Sequence, residues 1–232
     1  MAQSDVTQDV KWHDRTLERS LQNARARAIS RGDRFIRAAA GLLRERGRPD
    51  FTVQEVVERS GMSLRSFYHH FATKDDLLLA LIEESVRSHH KRVRAAVAKF
   101  DDPIDQLQAL VTTYYGGPED DDPASKGMAI FHLHLAESRS AEYMATFEPQ
   151  TDLLVEIFER GRQLGQVRTD VGVEKLAAFV TQVLASAINT RVLGVQGRGA
   201  PLTAQDLWLL IQPSVTAPEA PPAPRARSRA KR

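Results

Sequence analysis

Cysteine is absent from the 232-residue chain, which excludes disulfides, a thiolate nucleophile, a thiol redox switch and the cysteine-containing kinds of zinc site. Long apolar runs are missing as well, since no stretch approaches the run of about 20 apolar residues that spans a bilayer. The N-terminus MAQSDVTQDVKWHDRTLERS also lacks the apolar segment of a secretory signal. We therefore expect a cytoplasmic protein that does not enter a membrane.

Recognisable catalytic motifs are also missing. The sequence contains no nucleophile elbow, no glycine-rich loop of the kind that cradles phosphates and no metal-binding motif. We therefore predict that the protein is not an enzyme and that it uses no cofactor and no metal.

The charges are distributed unevenly, although the formal net charge is only +2. Residues 31–74 carry nine Lys or Arg residues against five Asp or Glu residues, whereas residues 101–150 carry ten acidic residues against two basic ones. Such a difference between segments indicates that the N-terminal part meets an anionic partner. A basic patch fits nucleic acid but does not identify it.

Almost every segment has helical periodicity, and none shows the sustained alternation of a strand. We therefore predict an all-α fold with a three-helix N-terminal domain and a larger C-terminal helical domain. The expected helices cover 33–46, 52–59, 64–71, 73–100, 104–115, 125–138, 141–164, 172–194 and 203–212. The expected domain limits are 1–30 for an N-terminal extension, 31–78, 79–212, and 213–232 for a Pro/Ala-rich basic tail without fixed structure.

Residues 52–71 have the pattern of two short helices joined by a tight turn. Thr52 and Glu55 fit a capping box at the start of the first helix. Gly61 ends that helix, and Ser63 can cap the second. One further helix precedes the pair and another follows it, so the segment is predicted to be a helix-turn-helix, which places its second helix in the major groove of DNA.

The second helix has two faces with different predicted roles. Phe67 and Phe71 lie at i, i+4 spacing, and we expect them to pack this helix onto its neighbours. The opposite face carries side chains that can hydrogen-bond bases or phosphates. These are Arg65, Ser66, Tyr68 and His69.

The stretch 52-TVQEVVERSGMSLRSFYHHFATKDDLL-78 resembles the N-terminal DNA-binding segment of TetR-type transcriptional regulators. The resemblance covers residues 31–78, and 160-RGRQLGQVRTDV-171 is similar to the family's turn before its dimerisation helices. It implies an all-helical homodimer that binds a palindromic operator in double-stranded DNA. It also implies a C-terminal domain whose bound small molecule sets the spacing of the two DNA-reading heads.

The resemblance also assigns roles to individual residues. Thr52, Tyr68 and Lys74 match family positions that hold phosphates, with Lys74 at a helix N-terminus. Arg65 is the expected reader of sequence, because two-pronged pairing of a guanidinium with guanine is the commonest specific contact. The matched positions that read or flank bases are Ser63, Leu64, Arg65, Ser66 and His69.

The adjacent histidines His69 and His70 are a poor metal pair. Neighbouring side chains on a helix point about 100° apart, and neither cysteine nor a third histidine lies near them in the sequence. We expect His69 on the DNA side and His70 at the edge of the core.

The middle of the chain is where the resemblance places an effector pocket. Large apolar side chains with a few histidines and tyrosines suit a largely apolar small molecule. Core packing is the alternative role for each, because these residues recur at helical spacing. The candidates are His89, Val93, Tyr114, Met128, Phe131, His132, Leu135, Met144 and Phe147.

The last two predicted helices carry more apolar surface than one packed face requires. A two-fold interface buries the same patch from each subunit, so this surplus predicts a homodimer. The candidates for the interface are Phe179, Val183, Ala187, Leu207, Leu210 and Ile211.

Three functional interpretations follow. The first is a sequence-specific regulator, in this family most often a repressor, that responds to a small molecule. The second is a DNA-binding protein of the same shape that has no small effector and acts architecturally or through a protein partner. The third is an enzyme, for which the sequence offers no motif.

Overall fold

The computed structural model describes residues 29–116, 123–195 and 200–218. Regular structure in these ranges is helical, apart from one isolated antiparallel bridge between Val167 and Thr216. The all-α fold class is therefore confirmed. The helices are α1 (29–46), α2 (Val53–Ser60), α3 (Leu64–His70), α4 (Lys74–Val97), α5 (Pro103–Tyr115), α6 (Pro123–Ser138), α7 (Ser140–Ala145), α8 (Glu148–Gln163), α9 (Val173–Leu193) and α10 (Ala204–Val215).

The described residues divide into two compact units. Among the described residues, the N-terminal unit comprises 29–87 and 123–144, and the C-terminal unit comprises 88–116, 145–195 and 200–218. Helix α4 therefore belongs to both units, and α6 and α7 belong with the N-terminal helices.

Apolar burial explains why α6 belongs to the N-terminal unit. Phe131 and Leu135 of α6 are buried in the same core as Phe35, Phe67 and Leu77. The core also contains Leu42, Leu43, Phe51, Val56, Val57, Phe71, Leu78, Leu79, Leu81 and Ile82. The sequence could not reveal this placement, because an apolar stripe at helical spacing does not say which core receives it.

A glycine allows α6 to approach α1 closely. A Cβ atom at Gly127 would lie 2.6 Å from Leu43 Cδ1 and 3.0 Å from the carbonyl oxygen of Gly47. The first distance is shorter than any normal carbon–carbon contact, and the second leaves no slack beside a backbone oxygen. The absence of a side chain at residue 127 therefore lets α6 lie against the end of α1.

The C-terminal unit has its own apolar core, formed by the second half of α4 with α5, α8, α9 and α10. Leu107, Leu110, Leu154, Phe158 and Leu184 are each fully buried in it. The core also contains Val93, Val97, Val111, Tyr115, Leu153, Ile157, Val167, Val173, Leu176, Ala177, Val180, Leu207, Trp208, Ile211 and Val215.

One predicted helix is two helices in the structure. The sequence pattern gave a single helix over 141–164, but α7 ends at Ala145 and α8 begins at Glu148. Pro149 lies in the first turn of α8, where its missing N–H is tolerated, whereas inside a continuous helix it would break a hydrogen bond. The break at residues 146–147 follows from this proline.

The ordered structure extends past the expected start of the tail at residue 213. Helix α10 continues through Pro213 to Val215, which is fully buried. Arg168 N donates to Val215 O at 3.0 Å, and Ala217 N donates to Gln166 O at 2.8 Å. Burial of Val215 and these backbone hydrogen bonds offset the helical hydrogen bond that proline cannot make. Residues 219–232 and 1–28 lie outside the described residues.

Candidate nucleic-acid interface

Helices α2 and α3 form a helix-turn-helix with the predicted caps. Thr52 and Glu55 make a reciprocal capping box, in which Thr52 N donates to Glu55 Oε2 at 2.6 Å. Gly61 ends α2 with a φ of 63°, a left-handed conformation that glycine adopts without strain. Ser66 N donates to Ser63 Oγ at 3.1 Å, which caps α3.

Aromatic packing fixes the orientation of α3. Phe67 is fully buried, and its ring meets the ring of Phe35 edge-on with 5.4 Å between centroids. Phe71 meets Phe35 in the same way at 6.2 Å. His70 lies at the edge of this group, with Nδ1 2.8 Å from the carbonyl oxygen of Ser66. These contacts leave the opposite face of α3 to solvent.

The solvent face of α3 contains most of the predicted DNA contacts. Leu64 is 43% exposed and Tyr68 is 56% exposed. A leucine side chain here can make apolar contact with a thymine methyl group. The other exposed residues of this face are Ser63, Arg65 and His69, whereas Ser66 is half-buried.

Several of the nine basic residues in 31–74 have partners inside the unit. Arg59 Nη1 donates to Glu45 Oε2 at 2.6 Å, which joins α2 to α1. Arg34 Nη2 donates to the carbonyl oxygen of Ser60 at 2.7 Å and so caps the end of α2. Arg46 pairs with Glu55, Arg48 pairs with Asp50, and Lys74 donates to Pro49 O.

Ion pairing and helix capping act together on Glu55. Hydrogen bonds from Arg46 and then from Thr52 lower the pKa of the Glu55 carboxyl to about 2. Because the Thr52 hydroxyl both donates to Glu55 and accepts from its amide, it is committed to the start of α2. Any phosphate contact at Thr52 therefore relies on the N-terminus of α2 as well as on this hydroxyl.

Arg65 differs from these arginines. It is exposed, and within the described part of the chain it makes no hydrogen bond or ion pair. Its guanidinium therefore need not break a hydrogen bond or ion pair with the described residues when it binds DNA. Of the predicted base-reading residues, Arg65 is the cation that the fold leaves available.

The predicted effector residues fall into the two separate units. His89, Val93, Tyr114 and Phe147 belong to the C-terminal unit, whereas Met128, Phe131, His132, Leu135 and Met144 belong to the N-terminal unit. Neither unit therefore brings the whole set together.

The N-terminal members serve mainly as structure. Phe131 and Leu135 are core residues of that unit, and Met128 packs against it. His132 Nδ1 lies 3.0 Å from the Tyr143 hydroxyl, and burial lowers the pKa of His132 to about 4. Met144 is 62% exposed.

The C-terminal members include a buried polar group. The ring of His89 meets the ring of Tyr114 edge-on, with 4.3 Å between centroids. The Tyr114 hydroxyl donates to Gln150 Oε1, and Gln150 is only 3% exposed. We call His89, Tyr114 and Gln150 the polar cluster. Sequence reasoning missed Gln150, although it lies three and four residues before Leu153 and Leu154 on the buried stripe of α8.

The predicted interface residues differ in their exposure to solvent. Phe179 is 40% exposed and Leu210 is 62% exposed, whereas Leu207 and Ile211 are buried in the core of their own chain. Val183 and Ala187 are half-buried, packed against that core. Leu209 is 58% exposed, although it was not among the predicted interface residues.

Helix α9 corrects one expectation from the sequence. By length and composition it is long and apolar enough to cross a membrane, although no such stretch was expected. Length and composition are weak evidence of a membrane span, because core helices pass the same test. Phe179 and Leu193 of α9 are 40% and 36% exposed, so part of its apolar surface faces solvent in the described residues.

No group of three or more His, Asp or Glu side chains is placed to hold a metal ion among the residues that the structure describes. Helices α2 and α3 form a two-helix reading head. Both helices are capped at their starts, and α3 presents a solvent-facing side with the exposed Arg65. This arrangement is that of a helix-turn-helix DNA-binding protein.

Comparison with known proteins narrows the class to a family. Residues 35–81 match the family model "Bacterial regulatory proteins, tetR family". The resemblance of residues 31–78 to TetR-type regulators is therefore confirmed, and the chain carries the DNA-binding domain of that family.

One relative of similar sequence is a named transcriptional repressor. The chain is 29% identical over 146 residues to the HTH-type transcriptional repressor KstR2 of Rhodococcus jostii, an alignment that covers 61% of this chain and 70% of the relative. This relative is named as a transcriptional repressor, and the chain carries a DNA-binding domain of the same regulator family.

Solved structures share the fold across most of the chain. The ketosteroid transcriptional regulator KstR2 of Mycobacterium tuberculosis is 23% identical with a TM-score of 0.53, covering 82% of this chain and 96% of that one. FadR from Bacillus subtilis, solved in complex with stearoyl-CoA, is 17% identical with a TM-score of 0.64, covering 77% of this chain and 96% of that one. The predicted arrangement of an N-terminal helix-turn-helix domain and a C-terminal helical domain is therefore confirmed.

Proposed function

We propose that the protein is a transcriptional repressor that binds a palindromic operator as a homodimer and releases it in response to a small molecule. The DNA-binding part of this proposal is supported by the solvent face of α3. Arg65 is exposed there, whereas Arg34 and Arg59 have partners inside the unit. In the proposed complex α3 enters the major groove and Arg65 pairs with a guanine.

The remaining α3 residues have supporting roles in this proposal. Ser63, Ser66 and His69 hydrogen-bond bases or phosphates beside Arg65, and Leu64 contacts a thymine methyl group. Tyr68 and the N-terminus of α2 at Thr52 hold phosphates, which fix the register of the reading head without reading sequence.

The proposed dimer interface lies on α9 and α10 of the C-terminal unit. Phe179, Leu209 and Leu210 expose apolar surface there. A two-fold axis that pairs this face with its copy removes the surface from water on both subunits. Val183 and Ala187 complete the interface at its edge, whereas Leu207 and Ile211 support it from the core beneath.

The proposed effector site lies in the C-terminal unit around the polar cluster. A buried glutamine beside a half-buried tyrosine and histidine supplies the sparse polar groups that orient a mostly apolar ligand. The relatives' names point to the same chemistry, because one is a ketosteroid regulator and another was solved with stearoyl-CoA. We therefore infer a largely apolar effector with at least one hydrogen-bonding group.

The DNA-binding part is tested by a gel shift with DNA from upstream of the protein's own gene. The expected result is a retarded band on a duplex with a palindromic site at physiological salt, and competition by bulk DNA only at large excess. Equal competition by the palindromic duplex and by bulk DNA would remove the specific-regulator proposal.

The effector part is tested by thermal shift with a panel of steroids, fatty acids and their CoA thioesters. A ligand that binds the folded state raises the melting temperature and is expected to release the duplex in the gel shift. Tyr114→Phe removes the hydroxyl that donates to Gln150 and should weaken that thermal shift, whereas Tyr143→Phe, in the other unit, should not. Absence of any stabilising compound, or equal effects of the two substitutions, argues against this site.

A further inference from the structure

His90 lies on the core-facing side of α4, in the part of that helix that belongs to the C-terminal unit. It precedes Val93 by three residues and Val97 by seven, so the three side chains share one face of the helix. Val93 is fully buried and Val97 is 6% exposed. Because His90 is half-buried beside them, α4 carries a polar ring at the edge of an apolar core.

The two ring nitrogens of His90 differ in their partners. Arg94 Nε donates to His90 Nε2 at 3.1 Å. Nδ1 is shielded from solvent and has no hydrogen-bond partner in the part of the chain that the structure describes. A guanidinium only donates, so Nε2 is the accepting nitrogen, and a neutral imidazole then carries its proton on Nδ1.

The surroundings of the ring favour this neutral form. Burial, and after it the positive charge of Arg94, lower the pKa of His90 below its ordinary value of 6.5. A protonated ring would also turn Nε2 into a second donor that faces the guanidinium. Nδ1 is therefore a buried N–H donor without an acceptor among the described residues.

A buried donor without an acceptor costs free energy, and native proteins contain few such groups. That cost is recovered when a ligand brings an acceptor to the donor. His89, the preceding residue, belongs to the polar cluster through its contact with Tyr114. The two histidines stand four and three residues before Val93 and so flank it on the helix surface. The donor therefore lies on the same wall of the C-terminal unit as the polar cluster.

We propose that His90 Nδ1 donates a hydrogen bond to a carbonyl oxygen of the effector. The proposal rests on the proposed effector site and narrows its ligand to an apolar molecule that carries a carbonyl group. A carbonyl accepts and brings no proton of its own, whereas a hydroxyl would bring a donor that needs a further acceptor. A carboxylate would bring a charge, whose burial costs more.

Arg94 is a positioning residue in this proposal. Its hydrogen bond to Nε2 orients the ring and fixes the proton on Nδ1 without contact with the ligand. Glu156 Oε2 of α8 lies 3.8 Å from Arg94 Nη2, so the guanidinium is itself held on the side of the C-terminal unit. The ligand then meets a neutral donor of defined direction.

The first arm of the test needs no ligand. His90→Leu in the full chain replaces the ring with an apolar group of similar size and removes the unsatisfied donor. The proposal predicts that the melting temperature of the ligand-free protein rises by about 2–4 °C. His132→Leu is the matched control, because the His132 ring has a partner in the Tyr143 hydroxyl, and its melting temperature should fall. His90→Met is measured as well, so that a poor fit of leucine is not mistaken for a lost hydrogen bond.

The second arm compares compounds that share a skeleton and differ in one carbonyl. The probes are androstanone with androstane and heptadecanone with heptadecane, with palmitate as the carboxylate. Their dissociation constants are obtained from the melting temperature across a concentration series. His90→Leu should weaken binding of the ketone that stabilises the wild type by about 3- to 10-fold and leave binding of its hydrocarbon unchanged. His90→Asn keeps an N–H donor near the position of Nδ1 and should retain part of the preference for the ketone.

Three results overturn the proposal. A fall in the ligand-free melting temperature of both His90→Leu and His90→Met shows that a water molecule or a protein group already accepts from Nδ1. Equal losses of ketone and hydrocarbon binding in His90→Leu show that the ring contributes shape and not a hydrogen bond. Tighter binding of palmitate than of heptadecanone assigns a carboxylate to the site.

Failure of the proposed effector site gives a different result. Absence of binding by every probe to the wild type overturns that site and with it the ligand assigned to His90. The ligand-free melting temperatures separately decide whether Nδ1 lacks an acceptor in the folded protein.

Discussion

Arg139 and Asp76 form an ion pair with 2.6 Å between Nη1 and Oδ1. Arg139 lies between α6 and α7, and Asp76 lies in the first turn of α4, where its backbone N–H donates to Thr73 Oγ1 at 3.1 Å. His134 of α6 adds a second contact, with Nε2 3.4 Å from Asp75 Oδ2. The start of α4 is therefore held from α6 and α7 as well as by its own cap.

We predict that Arg139→Met lowers the free energy of unfolding by about 1–2 kcal/mol, because Asp76 loses a charge-assisted hydrogen bond at a site that is about a quarter exposed. Urea denaturation measures this. Arg87→Met is the control, since Arg87 is 70% exposed and paired with Glu84, and it should cost less than about 0.5 kcal/mol. Equal costs for the two variants would show that the Asp76 pair has no special role.

Gly127→Ala tests the close approach of α6 to α1. The added Cβ would lie 2.6 Å from Leu43 Cδ1 and 3.0 Å from Gly47 O, so we expect a loss of about 1–3 kcal/mol in the free energy of unfolding. Gly32→Ala is the matched control in α1, where the nearest atom outside the helix backbone is 3.7 Å away. There the higher helix propensity of alanine should stabilise the protein by about 0.5–1 kcal/mol.

The two glycine variants should therefore shift the midpoint of denaturation in opposite directions. A stabilising Gly127→Ala would mean that α6 does not lie against α1 in solution.

His132 gives a prediction for pH dependence. Burial lowers its pKa to about 4 from the ordinary value of 6.5, so between these values the unfolded chain binds a proton that the folded chain does not. Stability is therefore lost as pH falls from about 6.5 towards 4. From pH 7 to pH 5 the loss attributable to His132 is about 2 kcal/mol.

Urea denaturation of His132→Asn at pH 7 and pH 5 checks this value. The variant should lose about 2 kcal/mol less than the wild type over that interval. The same substitution at the exposed His69 gives the effect of losing a solvent-facing imidazole. An identical pH dependence for His132→Asn and the wild type would contradict burial of a neutral His132.

The surface of α10 gives a prediction about assembly. Leu210 is 62% exposed whereas Leu207 is 2% exposed. Leu210→Glu should therefore convert a dimer into a folded monomer in light scattering, because it places a charge in the proposed interface. Leu207→Glu should instead unfold the C-terminal unit, since it buries an unpaired carboxylate. A dimer that persists in Leu210→Glu would place the interface elsewhere.

The sequence predicted the reading head well because its signals are local. The Thr52 capping box, the Gly61 turn and the Ser63 cap each involve residues within four positions, and the structure contains all three. The single helix expected over 141–164 was wrong. The break before α8 also has a local cause, Pro149, so the sequence alone could have predicted it.

Long-range relationships could not be read from the sequence. Arg34 caps α2 from 26 residues away, and Lys74 reaches back 25 residues to Pro49. Such partners depend on the packed fold, which a local sequence pattern does not specify. The same limit applies to Phe131, whose apolar character did not reveal that it completes the N-terminal core.

The central claim is that the solvent face of α3 reads DNA through Arg65. The most direct test compares the affinities of wild type and Arg65→Ala for an upstream palindromic duplex and for a scrambled duplex, by fluorescence anisotropy at one physiological salt concentration. We predict that Arg65→Ala loses about 1–3 kcal/mol on the palindrome and much less on the scrambled duplex. Equal losses on both duplexes would contradict the claim.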